Sequence, residues 1–114
     1  VMPSCSTEGF PLTVLESYAC GVPVIGSRVP GLEDVVWPGR TGTLVSSESS
    51  GEIAQALAAL IAEPSLARRW GDEARRVAQD YDWSRVAARH IALFEDLIAS
   101  QARPRAATAA SWFF

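Results

Sequence analysis

Residues 1–31 read VMPSCSTEGFPLTVLESYACGVPVIGSRVPG, and this stretch decides the fold class. It alternates between short apolar runs, loops of small and polar residues, and one helical segment. We predict, in order, a strand end at Val1–Pro3, a loop at Ser4–Gly9, a helix at Pro11–Ala19, a strand at Val22–Gly26 and a loop at Ser27–Gly31. Pro11 suits the first helical position, where its missing N–H is not needed, and Gly21 is the expected left-handed residue that ends the helix.

The alternation continues with a helical turn at Leu32–Val36, a turn at Pro38–Gly42 and a third strand at Thr43–Val45. Strand, helix and strand joined by tight loops indicate a parallel βαβ unit, and therefore an α/β fold. A right-handed crossover brings the loops Ser4–Gly9 and Ser27–Gly31 to the same carboxyl edge of the sheet. Ligands bind at that edge in open α/β sheets, so we expect the functional site there.

The following residues, 48–101, are rich in Ala, Arg and Glu, and their apolar residues recur at helical spacing. We predict helices at Gly51–Ala62, capped by Ser50, at Ser65–Gln79, begun by Pro64, and at Arg85–Ser100, capped by Asp82 or Ser84. Residues 102–114 show no periodicity, and we expect a flexible tail there. The domain is thus predicted to span residues 1–101.

The composition excludes several classes of protein. With 48% hydrophobic and 20% charged residues the chain is typical of a globular domain, not of a disordered one. Ten Arg and no Lys stand against 13 Asp and Glu, and no basic stripe appears, so we expect no nucleic-acid partner. The longest uncharged internal run has 11 residues, whereas a membrane-spanning helix needs about 20.

The two cysteines, Cys5 and Cys20, are too few for a disulfide scaffold and lack the spacing of metal ligands. We interpret them as buried thiols in a reducing compartment, and we therefore expect a cytoplasmic protein. The chain begins with Val1 rather than Met, which suggests a fragment of a longer protein.

The densest chemical pattern is a pair of glutamates around a helix start. Glu8 lies in the loop before the helix, and Glu16 lies eight residues later, inside it. The unpaired N–H groups at a helix start favour phosphate, Gly9 lets a ligand approach the backbone, and carboxylates accept hydrogen bonds from sugar or ribose hydroxyls. The residues themselves leave two interpretations open: a nucleotide or sugar-phosphate site, or two acids that cap and solvate a helix.

Residues 3–27 closely resemble the glutamate-x7-glutamate block of the retaining glycosyltransferases of family 4, also called group 1. The resemblance continues through residues 31–36 and 39–45 and returns at Tyr81–Ser84. It implies a partial Rossmann-like parallel sheet with flanking helices, the latter part of the C-terminal, donor-binding domain of a GT-B fold. It also implies an enzyme that transfers a sugar from a nucleotide-sugar donor to an acceptor with retention of anomeric configuration.

The same resemblance assigns roles to individual residues. It implies that Glu16 binds the ribose hydroxyls of the nucleotide and that Glu8, as the catalytic residue, contacts hydroxyls of the donor sugar. The backbone amides that would hold the phosphates and the sugar are those of Gly9, Phe10, Leu12 and Thr13. Pro11 departs from the glycine that is commoner in the family, and it has no N–H to offer a ligand.

The family's implied chemistry involves no metal and no cofactor beyond the nucleotide-sugar substrate. The acceptor-binding N-terminal domain is expected outside this chain, so the chain alone should be inactive, and attachment of the longer protein at the inner face of the membrane is left open. Two alternatives remain: a non-catalytic interaction domain on the same fold, and an enzyme like the nucleotide-sugar 2-epimerases.

Four other residues or motifs carry weaker signals. Asp80–Asp82 resembles a metal-binding Asp-x-Asp, but it joins two predicted helices instead of following a strand. His90 is expected at the surface or partly packed. Arg28 could face a phosphate, but such a residue is more often solvated or paired with an acid. Gly39–Gly42 lacks the Gly-Lys-Ser/Thr ending of a phosphate loop, so a turn is the better interpretation.

Overall fold

The structure is a computed structural model that describes residues 1–102, and its first unit contains a sheet of two short parallel strands. The unit Val1–Asp82 contains, in chain order, α1 (Leu12–Ala19), β1 (Val24–Ser27), α2 (Leu32–Val35), β2 (Gly42–Val45), α3 (Ser50–Ala62), α4 (Pro64–Ala78) and a 3-10 turn (Gln79–Tyr81). A second unit begins at Trp83, and its described part is the helix α5 (Trp83–Ala102). The predicted α/β class is confirmed.

The parallel pairing runs in register from Val24 opposite Gly42 to Ser27 opposite Val45. The predicted strand end at Val1–Pro3 is reduced to a single parallel bridge between Met2 and Gly26. The amide of Met2 donates to the carbonyl of Ile25 (2.8 Å), and the amide of Ser27 donates to the carbonyl of Met2 (3.0 Å). The ladder does not continue beyond this bridge, and the carbonyl of Ser27, which the next rung would use, accepts the N–H of Val29 (2.9 Å).

Helix α1 ends as the sequence predicts and begins one residue later. Gly21 has φ +71° and donates its N–H to Tyr18, while Val22 donates to Ser17, which together make a Schellman stop. Pro11 is not the first helical residue, because its ψ of 90° is extended. It occupies the N-cap position, and its carbonyl accepts the N–H of Val14 (2.9 Å).

A buried hydrogen-bond chain ties α1 to the segment before β2. The hydroxyl of Tyr18 donates to the carbonyl of Val35 (3.2 Å) and accepts from the hydroxyl of Thr41 (2.6 Å), which in turn accepts the N–H of Trp37 (3.0 Å). Burial raises the pKa of the Tyr18 phenol, and the hydrogen bond from Thr41 partly offsets that rise. Around this chain lies the apolar core, made of Val14, Val24, Val29, Leu32, Val35, Val36, Ala74 and Val77.

The predicted helices α3 and α4 are confirmed with small shifts. The cap of α3 is Ser49, not Ser50, because the Ser49 hydroxyl accepts the N–H of Glu52 (3.3 Å). Within α4, Gly71 lies so close to the carbonyl of Gly21 that a Cβ there would overlap it, which is how α4 approaches the end of α1. Ala74 and Val77 of α4 enter the core, whereas α3 has no buried residue.

Two further predictions, the burial of the cysteines and the tail, have other outcomes. The interpretation of both cysteines as buried thiols is wrong: Cys5 lies in the exposed loop after Met2 and Cys20 at the exposed end of α1. The predicted tail, residues 102–114, lies outside the described residues apart from Ala102, the last residue of α5. Among the described helices, none is long and apolar enough to cross a bilayer.

Candidate functional site

The loop Ser4–Gly9, which follows the bridge at Met2, meets the loop Ser27–Gly31, which follows β1, at the carboxyl edge of the sheet, as predicted. The amide of Glu8 donates to the carbonyl of Pro30 (3.1 Å). Gly31 packs against the backbone of Glu8 so closely that a Cβ at Gly31 would lie 2.8 Å from the Glu8 carbonyl carbon. Gly31 has φ +90°, a conformation that favours glycine. The expected juxtaposition of Ser4–Gly9 with Ser27–Gly31 is therefore confirmed.

Glu8 is half-buried in this edge, and its carboxylate has a hydrogen-bond partner. The hydroxyl of Ser4 donates to Oε1 of Glu8 at 2.5 Å. A hydrogen bond to an ionised acceptor is stronger than one between neutral groups, so this contact orients the carboxylate. The sequence indicated Glu8 as a site residue but gave no reason to single out Ser4.

Helix α1 begins at Leu12, four residues after Glu8, and carries no side-chain cap and no acidic residue in its first turn. The amides of the first helical residues, Leu12 and Thr13, have no acceptor within a helix. Both residues are exposed, as are Gly9 and Phe10 in front of them. An uncapped helix start with a partial positive charge, beside an oriented carboxylate, is suited to an anionic group such as a diphosphate.

Glu16 lies on the exposed side of α1, opposite the buried Val14 and Tyr18. It is four residues after Leu12 and three after Thr13, so these residues share one face of the helix. A ligand anchored at the helix start therefore has Glu16 one turn further along the same face. The structure brings together the edge loops and the helix start that the sequence predicted as one site.

One contact at this site was not apparent in the sequence. The ring of Phe10 packs against the ring of Tyr81, with centroids 5.4 Å apart and planes tilted by 38°. Phe10 remains 48% exposed, so the contact covers one side of the ring. The sequence showed Tyr81 only as an aromatic residue before the last helix, because 71 residues separate the two rings.

The remaining candidates lie elsewhere. Gly39–Gly42 forms a turn at the amino end of β2, and thus at the opposite edge of the sheet, with Thr41 buried in the core. Arg40 in this turn donates to Glu73 of α4 and lies over the ring of Trp37 at 4.9 Å, and the hydrogen bond from Arg40 lowers the pKa of the Glu73 carboxyl. The predicted turn is confirmed.

Arg28 does lie in the second edge loop, where it is exposed and 3.8 Å from Glu33. Asp80 belongs to the 3-10 turn between α4 and α5 instead of following a strand. In α5, His90 is exposed and its Nδ1 hydrogen-bonds with the carbonyl of Val86 (2.8 Å). Among residues 1–102 no three His, Cys, Asp or Glu side chains come together as a metal site.

Comparison with known proteins shows which family of proteins the chain resembles. A family model described as glycosyl transferases group 1 matches residues 1–77. The chain is 43% identical over 88 residues to D-inositol 3-phosphate glycosyltransferase of Arthrobacter sp. (strain FB24), covering 77% of this chain and 21% of that protein. It is 38% identical over 94 residues to MMP alpha-(1->4)-mannosyltransferase of Mycolicibacterium hassiacum, covering 81% of this chain and 23% of that protein.

Solved structures show the same likeness. Sucrose-phosphate synthase from Thermosynechococcus elongatus superposes with a TM-score of 0.74 at 36% identity, over 82% of this chain and 24% of that one. Anabaena Alr3699/HepE in complex with UDP-glucose superposes with a TM-score of 0.65 at 25% identity, over 68% of this chain and 21% of that one. The chain thus spans between a fifth and a quarter of the length of these relatives.

Proposed function

The chain belongs to the group 1 glycosyltransferase family, and from that premise we propose that it binds the nucleotide-sugar donor in a longer, sugar-transferring enzyme. The proposed reaction transfers the sugar to an acceptor with retention of anomeric configuration. The acceptor side is proposed to lie in the part of the longer protein that this chain does not span. A cytoplasmic location remains a prediction.

The observation that carries the proposal is the placement of Glu8. Its carboxylate is held at the carboxyl edge of the sheet by Ser4, and Glu8 precedes Leu12, the first residue of the uncapped helix α1, by four residues. A donor needs three things at once: a positive site for its diphosphate, an acceptor for sugar hydroxyls and an acceptor for ribose hydroxyls. The start of α1, Glu8 and Glu16 offer them in that order.

The class of donor is supported by a solved neighbour. Anabaena Alr3699/HepE, with which this chain shares its fold at 25% identity, was solved in complex with UDP-glucose. We infer that the donor here is also a nucleoside diphosphate sugar. The base and the sugar are not assigned, because this chain covers only 21% of that neighbour.

The chemistry follows from where charge develops. As the bond from the sugar to the diphosphate breaks, negative charge grows on the leaving oxygen and positive charge on the sugar. The N–H groups at the start of α1 stabilise the leaving diphosphate, and their orientation is set before the reaction begins. The carboxylate of Glu8 accepts from a sugar hydroxyl and favours the cationic sugar, so its contribution is greatest in the transition state.

The proposal is tested in the longer protein with variants of the two glutamates. Glu16→Ala removes a charged acceptor from the ribose diol and should weaken binding of free nucleoside diphosphate by about 1.5–3 kcal/mol. Glu8→Ala should lower kcat far more than it lowers nucleotide affinity, and Glu8→Gln separates the effect of charge from that of shape. Asp72→Ala, at an exposed acid of α4, is the matched control.

Calorimetry with UDP, ADP and GDP and steady-state transfer rates measure the two effects separately. If both glutamates only solvate the helix, each alanine variant changes stability by about 1 kcal/mol or less and leaves the folded fraction as active as the wild type. Equal and small effects on affinity and kcat would therefore overturn the assignment. If NMR shows that the product has the inverted anomeric configuration, retention is contradicted. If the donor sugar is epimerised and not transferred, the 2-epimerase alternative is favoured.

A further inference from the structure

The loop that carries Glu8 is closed by its own first residue. Ser4 and Glu8 are four residues apart, both are partly buried, and the Ser4 hydroxyl donates to Glu8 Oε1 at 2.5 Å. The three residues between them, 5–7, are exposed. The contact is therefore not a consequence of general packing in the loop. It is a directed hydrogen bond between two ends that are each fixed elsewhere.

Ser4 is fixed from the side of the sheet. Met2, two residues earlier, forms two backbone hydrogen bonds with β1, of 2.8 and 3.0 Å. The carbonyl of Ser4 also accepts the hydroxyl of Ser47, from the loop after β2, at 3.5 Å. The hydroxyl of Ser4 is thus presented from the edge of the sheet itself.

Glu8 is fixed from the side of the second edge loop. Its amide donates to the carbonyl of Pro30, and its carbonyl packs against Gly31. With the backbone held there and Oε1 held by Ser4, the side chain has little rotational freedom left. Within residues 1–102 the Ser4 hydroxyl is bonded to Oε1 of Glu8, and Oε2 receives no hydrogen bond.

We propose that Ser4 is a positioning residue for sugar transfer: its hydroxyl holds Glu8 Oε1 and so presents Oε2 to a hydroxyl of the donor sugar. This inference rests on the proposed function and adds a residue to it. A serine suits the role because it supplies one O–H donor on a short side chain. A carboxylate that is oriented in advance does not have to be reoriented when the transition state forms.

The test uses the longer protein and compares Ser4→Ala with Ser4→Thr, which keeps the hydroxyl. Ser4→Ala is expected to lower kcat roughly tenfold, the effect of losing one hydrogen bond to a charged group, while the Kd for UDP changes less than about twofold. Ser4→Thr should recover most of kcat. Ser6→Ala, at an exposed hydroxyl of the same loop, is the matched control and should behave as wild type.

A double-mutant cycle decides whether Ser4 acts through Glu8. In a Glu8→Ala background, Ser4→Ala should lower kcat no further, because the group that it positions is absent. A full tenfold loss in that background, or an unchanged kcat in the single variant, would overturn the inference. If Ser4→Ala does not fold, Ser4→Cys, whose thiol is a weaker donor, should give an intermediate kcat, and a wild-type kcat there would equally refute the role.

The two proposals fail in different ways. Glu8→Ala with wild-type transfer rates would remove the proposed function itself. Glu8→Ala with a large loss of kcat, next to Ser4→Ala with none, would leave that function standing and remove only the positioning role of Ser4.

Discussion

Gly31→Ala is expected to damage the carboxyl edge more than any other single methyl addition in the two edge loops. Gly31 has φ +90°, and a Cβ at this position would overlap the carbonyl group of Glu8, whose carbonyl carbon would lie only 2.8 Å away. The backbone of Glu8 cannot move away easily, because its N–H is hydrogen-bonded to the carbonyl of Pro30, the residue before Gly31. Either the loop or Glu8 has to move.

Two costs add up in this variant. A side chain at positive φ costs about 1–3 kcal/mol when the backbone cannot relax. Overlap in a packed region costs about a further 1–3 kcal/mol. The free energy of unfolding should therefore fall by about 2–6 kcal/mol. Since the overlap is with the backbone of Glu8, the displacement is transmitted to the candidate catalytic carboxylate.

The measurement is urea unfolding of the chain, followed by tryptophan fluorescence and circular dichroism. Gly39→Ala is the matched control, because Gly39 also has positive φ (+77°) but has no atom within 4 Å of the place that an added methyl group would occupy. It should lose only the conformational part, about 1–2 kcal/mol. The difference between the two variants measures the contact with Glu8.

Equal losses in Gly31→Ala and Gly39→Ala would refute the reasoning. That result would mean that the second edge loop does not pack against Glu8 and that the two loops are brought together by something else. A loss in Gly31→Ala below about 1 kcal/mol would refute the conformational argument as well.

Substitutions at three further positions and one activity assay test other parts of the chain. Thr41→Val should lower stability by about 1–3 kcal/mol, since it leaves the Trp37 N–H unpaired and removes the donor to Tyr18, whereas Thr41→Ser should cost less; thermal unfolding of both checks this. Gly51→Ala, on the exposed side of α3 with open space around it, should raise stability by about 0.5–1 kcal/mol in urea titrations. The pKa of the Glu52 carboxyl is lowered, chiefly by a hydrogen bond from the backbone N–H of Ser46. The ionised Glu52 should therefore stabilise the fold above the usual carboxyl pKa of about 4.3, and this stabilisation should be lost as the pH falls below that value. The stability difference between wild type and Glu52→Gln, measured at pH 7 and at pH 3, tests the loss, and a difference independent of pH would contradict it. Finally, the 114-residue chain alone should show no transfer from any nucleotide sugar, because both substrates have to be held together; measurable turnover would be the contrary result.

Several features of the fold were predictable because they depend on neighbours in sequence. The Schellman stop at Gly21 needs only a residue that tolerates positive φ after a helix. The alternation of short apolar runs and a single helix predicted a parallel unit, and right-handed crossover then placed both loops at one edge. The errors at Pro11 and Ser49 amount to one residue each, since either of two adjacent residues could have served as the cap.

The candidate site divides in the same way. The spacing of Glu8 and Glu16 around a helix start is local, so the sequence by itself predicted two carboxylates beside a helix start that favours an anion. The exposure of both cysteines was not predictable, because it depends on how much of the surrounding chain covers the first loop and the end of α1.

What only the tertiary structure decided are the contacts between segments that are distant along the chain. Gly31 lies 23 residues after Glu8, and the Phe10 and Tyr81 rings meet across 71 residues. Even Ser4, only four residues from Glu8, reaches it because Met2 and Pro30 fix the two ends of the loop from opposite sides. Propensity, periodicity and turn chemistry act over a few residues, whereas these contacts exist only once the sheet edge has brought separate segments within a few ångströms. For that reason the sequence predicted which carboxylates belong to the candidate site, whereas the folded edge decided that Oε1 of Glu8 is held by Ser4.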